Sequence, residues 1–247
     1  ESLTLDTHTG TNTGGTVKIA GNVAGADAAG AFKTVTLKGA TNVYLGGTIT
    51  TAENSTNNNI DIDGDVLLTA NTTLDTTANN GTIDFSGKID SSSATNHTLT
   101  LKSAAGAIAV NGVIGGTSGN TEIGALKIND GLSGTGAITL SGIGNSSEDG
   151  VTGTVDIGHT STSAINLSGS LYRINGATTF TTADTADVID IKAAQTIQTS
   201  NDDVSFVQGT IALDDDAHLT IDAGTGDVTL TTIGAVHDEV IDITGGT

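Results

Sequence analysis

Leu99–Val110 reads LTLKSAAGAIAV and Leu219–Leu230 reads LTIDAGTGDVTL, and the two align without a gap. Each copy begins with an alternating apolar stretch, passes through small residues and glycine, and ends in a second alternating stretch. Alternation of period two is the mark of a half-buried strand. The pattern is therefore strand, tight corner, strand. A shorter motif, G-[TA]-[IV]-x-[IVF]-x-G-x-[IV], recurs at Gly15–Val23 (GTVKIAGNV), Gly81–Ile89 (GTIDFSGKI) and Gly106–Ile114 (GAIAVNGVI). Abbreviated forms begin at Gly136, Gly153, Gly209 and Gly226, and I-G-A-[LV] recurs at Ile123 and Ile233. Self-similarity at this spacing is the signature of stacked repeats, in which one unit cannot bury its apolar face alone but a stack can.

The remaining chain fits the same reading. Short alternating stretches such as TVTL (Thr34–Leu37), IDI (Ile60–Ile62) and TLTL (Thr98–Leu101) are separated by Gly, Asn, Asp and Ser. Asn80-Gly81, Asn111-Gly112 and Asn175-Gly176 are strong turn dipeptides. Ala183–Ser200 is the one stretch long enough to weigh as a helix, and its IDI alternation at Ile189–Ile191 favours strand. Sandwich domains usually have longer strands and aromatic core anchors. Here there is no Trp, and aromatics make up 2% of the 247 residues. The core must come from Ile, Val, Leu and Ala, which suit thin, regular layers. The expectation is an all-β fold over 1–247: a single parallel β-helix, or β-solenoid, of roughly ten to twelve coils of about 20–25 residues. At ~4.8 Å per coil the rod is on the order of 50 Å long.

Composition narrows the chemistry. The chain lacks Pro, Cys and Met, so neither disulfides nor thiolate chemistry is open to it. The absent Met suggests a segment of a much longer repetitive protein. The formal net charge is −20, with only 8 Lys and Arg. Nucleic acids and anionic membranes both call for clustered cations, so neither is an expected partner. No apolar run is long enough for a membrane-spanning helix. The acidity suits a soluble chain outside the cell, and association with divalent cations.

The aligned copies at Leu99 and Leu219, with IGALKI and IGAVHDEVIDI after them, resemble repeats of filamentous-haemagglutinin-like bacterial exoproteins and autotransporter passengers. The resemblance covers most of the chain. It implies a right-handed parallel β-helix at the bacterial cell surface, serving as a stalk or filament in adhesion, biofilm or cell–cell contact. It implies surface proteins or surface glycans as partners, with self-association as a further possibility. That family's two-partner secretion domain carries an Asn-Pro motif. A chain without proline does not contain that domain.

Candidate sites are few. Asp61, Asp63 and Asp65 in IDIDGDV fall two residues apart, which would line one side of an extended strand, with Gly64 permitting a bend. Carboxylates so spaced can supply oxygen ligands to Ca²⁺, although the EF-hand loop is not completed. The alternative is an outward acidic face beside inward Ile60 and Ile62. Asp214-Asp215-Asp216 and Asn201-Asp202-Asp203 read as solvated turns. Catalysis is not expected. Arg173 is the only arginine available to hold an acidic polysaccharide, the five His are scattered, and Asp pairs are expected by chance among 28 acidic residues. Thr-x-Thr at Thr34, Thr98 and Thr229 raises ice binding, provided the threonines stack in register on successive coils. Five sequons begin at Asn54, Asn71, Asn96, Asn145 and Asn166. The leading expectation is an extracellular adhesive rod, and the alternative is a self-assembling surface-layer, sheath or filament subunit.

Overall fold

A computed structural model describes residues 2–8, 14–24, 32–51, 58–92, 95–117, 119, 121–132, 134–234 and 238–245. One turn of the chain shows how the fold is built. Ile83–Phe85 lies on a first face, Ile89–Ser91 on a second and Leu99–Lys102 on a third, and the chain returns to the first face at Ile108–Val110. Ile108–Val110 pairs in parallel with Ile83–Phe85, directly in register. Parallel neighbours need a long crossover, and here the other two faces provide it. The result is a β-solenoid with parallel sheets and about eight full turns.

Among the described residues the first face is a ten-stranded sheet. Its rungs run Leu3, Val35, Ile60, Ile83, Ile108, Ile138, Ile165, Ile189, Ile211, Ile233, each in register with the next. The second face stacks Val17, Val43, Val66, Ile89, Ile114, Ile143, Tyr172, Ile197, Ile221 and Ile243. The third stacks Val23, Ile49, Leu74, Leu101, Ile128, Ile157, Phe180 and Phe206. Away from the two ends these inward side chains are essentially sealed from water. Each Ile or Leu so buried contributes ~1.5–3 kcal/mol. Parallel sheets are normally covered on both faces. Here the three sheets cover one another's inner sides, and the outer sides meet solvent, so the strands alternate.

Rungs on the first face are 22 to 32 residues apart. The turns are longer, and fewer, than the sequence spacing suggests, because corner segments such as 144–150 are inserted between faces. The stretch 183–200 forms two strands, Val188–Ile191 and Gln195–Thr199, as its alternation indicates.

The recurring glycines have a steric cause. A Cβ on Gly81 would sit 1.8 Å from the Asn58 carbonyl oxygen. On Gly106 it would sit 2.0 Å from that of Gly81, and on Gly136 1.9 Å from that of Gly106. The chain entering the first face rests directly on the turn beneath it, and only glycine fits. Beside this column lies a buried polar one. The hydroxyls of Thr51, Thr76 and Ser103 donate to the carbonyls of Asn58, Gly81 and Gly106 at 2.7, 2.6 and 2.6 Å. A buried carbonyl without a donor is costly, and each of these three corners carries its own.

The aligned repeats do not mark equivalent points of the turn. Leu99–Lys102 and Ile108–Val110 span the corner from the third face to the first. Leu219–Asp222 and Val228–Thr229 span the corner from the second face to the third. Likewise GTVKIAGNV starts on the second face, whereas GTIDFSGKI and GAIAVNGVI start on the first. The motif encodes strand, corner and strand, and the same unit serves at different corners.

Candidate functional site

Ile60–Asp63 is a strand of the first face, with Ile60 and Ile62 buried and Asp61 exposed. Asp61 and Asp63 share its outer side. Gly64 (φ 122°) then turns the chain, because a Cβ there would lie 2.5 Å from the Gly39 carbonyl oxygen. Asp65 follows that corner and leads into Val66–Asp75 on the second face. The spacing of two therefore does not line up three carboxylates, since the strand ends between the second and the third. Asp63 accepts a hydrogen bond from Ser86 Oγ at 3.0 Å and faces Lys38 Nζ at 3.9 Å. Asp65 accepts one from the Lys88 backbone at 3.3 Å and faces Lys88 Nζ at 4.0 Å. Among the described residues no three acidic or histidine side chains gather as a metal-binding group.

The close carboxylate neighbour of Asp61 comes from the next turn. Asp84 is in register with it, and Asn111 Nδ2 donates to Asp84 at 3.3 Å. Partial burial and then the Asp61 charge push the Asp84 carboxyl above its ordinary pKa, against the lowering effect of Asn111. This pair is absent from the sequence reading because Asp84 lies outside IDIDGDV. The offset between IDI at Ile60 and IDF at Ile83 is the signal that relates them.

Some of the other acidic groups brace turns. Asp203 Oδ1 accepts from the Asp227 backbone at 2.8 Å, and Asn201 Oδ1 from Thr225 at 3.2 Å. Lys192 bridges Asp190 and, at 3.6 Å, Asp214 on the rung above. Its ammonium is held above the ordinary lysine value by its hydrogen bond to Asp190, with the charges of Asp190 and Asp214 adding to the effect. Lys192, Leu213, Asp214 and Asp215 line a shallow, open hollow.

Arg173 is committed to packing. Its Nε donates to Asp149 at 2.9 Å and a terminal nitrogen donates to the Ser146 carbonyl at 3.0 Å, pinning the 144–150 corner. Beneath it a Cβ on Gly115 would lie 1.8 Å from the Gly150 carbonyl oxygen, so the two corners are nested. Asp90 is nearly sealed from water and is met by Thr117 and, at 3.8 Å, by Lys88.

The threonines stack only in part. Thr48, Thr73 and Thr100 form one outward file on the third face, which continues as Lys127 and Asp156. Thr34 and Thr36 lie on the first face, where Thr36 is followed by Asp61. Of the sequon asparagines, Asn96, Asn145 and Asn166 use their side-chain amides to reach Thr152, Gly116 and Thr139. The sequon at Asn54, like His237, lies outside the described residues.

No described helix is long and apolar enough to cross a membrane. The chain matches no protein-family model, no curated protein and no solved structure.

Proposed function

We propose that this chain is a stiff structural and adhesive segment of a large bacterial surface protein, holding binding surfaces away from the cell and supporting attachment or cell–cell contact. The observation that carries the reading is the unbroken stacking of three parallel ladders. Backbone hydrogen bonds run along the axis on every face, so bending the stack means breaking them. The −20 charge supports an exposed, soluble location, and the repeat resemblance supports the bacterial surface. The outer faces offer rows of Thr, Asn and Asp side chains, a polar surface suited to surface glycans or proteins and not to anionic polymers. The proposed role is binding and spacing, with no turnover.

Display tests this directly. The chain is fused outward on a non-adherent bacterium and attachment to glycan-coated and protein-coated surfaces is counted. Several-fold more attachment than with an empty display carrier is expected. Attachment equal to the empty carrier on every surface would contradict an adhesive role.

A further inference from the structure

Three corners carry the dipeptide Asn-Gly: Asn80-Gly81, Asn111-Gly112 and Asn175-Gly176. An asparagine before glycine readily loses its side-chain amide, because glycine has no side chain to shield its own nitrogen. That nitrogen closes on the asparagine Cγ and forms a five-membered imide. Closure needs an N–H that is not donated elsewhere and a side-chain amide free to turn. It also needs a backbone that brings the nitrogen and Cβ to the same side of the Cα–C bond. The three corners differ in these respects.

Asn80-Gly81 is held shut. Asn80 is left-handed, with φ 56° and ψ 37°, which leaves the Gly81 nitrogen on the far side of the Cα–C bond from Cβ. The Gly81 N–H donates to the Thr76 carbonyl at 3.2 Å, and Asn80 Oδ1 accepts from the Ala105 backbone at 3.2 Å. Asn111-Gly112 is held at one point. Asn111 Nδ2 donates to Asp84 at 3.3 Å, while the Gly112 N–H has no acceptor among the described residues. Asn175-Gly176 is held at neither. Asn175 is exposed, and among the described residues its side chain makes no hydrogen bond and the Gly176 N–H has no acceptor.

We infer that Asn175 is a modification site, deamidated by its own neighbour Gly176 ahead of Asn111 and far ahead of Asn80. The Gly176 nitrogen gives up its proton and bonds to Asn175 Cγ. The Cγ–Nδ2 bond breaks, and ammonia leaves with that proton. Water then adds to one imide carbonyl and breaks one C–N bond. Opening at Cγ gives aspartate, and opening at the main-chain carbonyl gives isoaspartate. Either product adds a negative charge. Isoaspartate also adds one main-chain carbon to the short corner between Leu171–Ile174 on the second face and Thr178–Thr181 on the third. That corner has no slack, since a Cβ on Gly176 would sit 2.3 Å from the Gly153 carbonyl oxygen. The site follows from corner geometry and holds whether or not the chain adheres.

The test ages the folded 247-residue chain in mildly alkaline buffer. Peptide mapping by mass spectrometry follows each of the three asparagines, and an isoaspartate-specific methyltransferase counts isoaspartate. Asn175 is expected to convert at least tenfold faster than Asn80, with Asn111 between them. Unfolded in urea, all three are expected to convert at similar rates, because the corners are gone. Asn175→Gln cannot close the five-membered ring. It is expected to remove the first acidic species on isoelectric focusing and to leave Asn80 and Asn111 unchanged, with far-UV circular dichroism confirming the β stack. Asn80 or Asn111 converting as fast as Asn175 in the folded chain overturns the inference. So does an Asn175 that stays intact when folded, an acidic species that persists in the variant, or a spread of rates as wide in urea as in the folded chain.

Discussion

Leu99–Val110 and Leu219–Leu230 share strand, corner and strand, yet one turns from the third face to the first and the other from the second to the third. Their corners are built alike. Ala104 and Gly224 both take a left-handed conformation, with φ 51° and 59°. Gly106 N donates to the Ser103 carbonyl at 3.0 Å, and Gly226 N to that of Ala223 at 2.8 Å. In both, the glycine at the eighth position, Gly106 or Gly226, rests on the turn below: a Cβ would lie 2.0 Å from the Gly81 carbonyl oxygen or 2.4 Å from the Asp202 carbonyl group. The corners differ at the first position, where Ser103 donates to the Gly106 carbonyl and Ala223 has no hydroxyl. A corner is thus a local device set by a few residues, and the face it serves is decided by how many strands precede it.

The largest expected effect comes from the glycine on which both corners depend. Gly106→Ala and Gly226→Ala each drive a methyl group into backbone and are expected to lose about 3 kcal/mol. Thermal unfolding of both variants checks this; a cost at one corner alone would break the equivalence. Ser103→Ala removes the donor to a buried carbonyl and is expected to cost about 1–2 kcal/mol, leaving a corner of the Ala223 type that still folds. Ala104→Gly relieves a left-handed alanine and is expected to gain about 1 kcal/mol, with Gly224→Ala losing a similar amount. Opposite signs at these two positions in urea titrations would sharpen the comparison.

The smallest effect separates the copies Gly81–Ile89 and Gly106–Ile114, whose outward middle positions are Asp84 and Ala109. The Asp84 pKa is raised in the folded chain, so folding disfavours its ionisation, and that penalty appears as pH rises through the folded value. Asp84→Asn is therefore expected to raise Tm slightly at pH 7. The gain vanishes at a pH below the ordinary Asp value of about 3.9. Tyr172 shows the same sign at the alkaline end. Burial raises the pKa of its phenol, which donates to the Leu140 carbonyl at 2.8 Å. Stability is expected to fall above about pH 10, where the unfolded chain ionises and the folded chain resists. Tyr172→Phe removes that dependence.

The fold was legible because the inward files leave a period-two pattern and the stacked glycines leave a repeat. What the repeat did not carry was the face. GTVKIAGNV and GTIDFSGKI look alike because a glycine corner between two short strands has the same steric needs wherever it lies. The candidate site was less legible. The pairs Asp63 with Lys38 and Asp61 with Asp84 join residues a full turn apart, and the lengths of the intervening corners decide which residues meet. Arg173 reads as an isolated cation in sequence, and its partner Asp149 becomes apparent only once the 144–150 corner is seen folding back towards it.

The placement of the two aligned copies on different faces has a direct measurement. The chain has no cysteine, so spin labels can be placed at chosen pairs. Thr100 aligns in sequence with Thr220, but in space it shares an outward file with Thr229 through Lys127, Asp156, Thr179 and Ser205. Five steps of ~4.8 Å separate the ends of that file, or about 24 Å. Pulsed electron spin resonance is expected to give a narrow distribution near this value for Thr100→Cys with Thr229→Cys. A longer distance is expected for Thr100→Cys with Thr220→Cys, whose side chains leave from different faces. The reverse order, with Thr220 nearer than Thr229, would contradict the arrangement of faces.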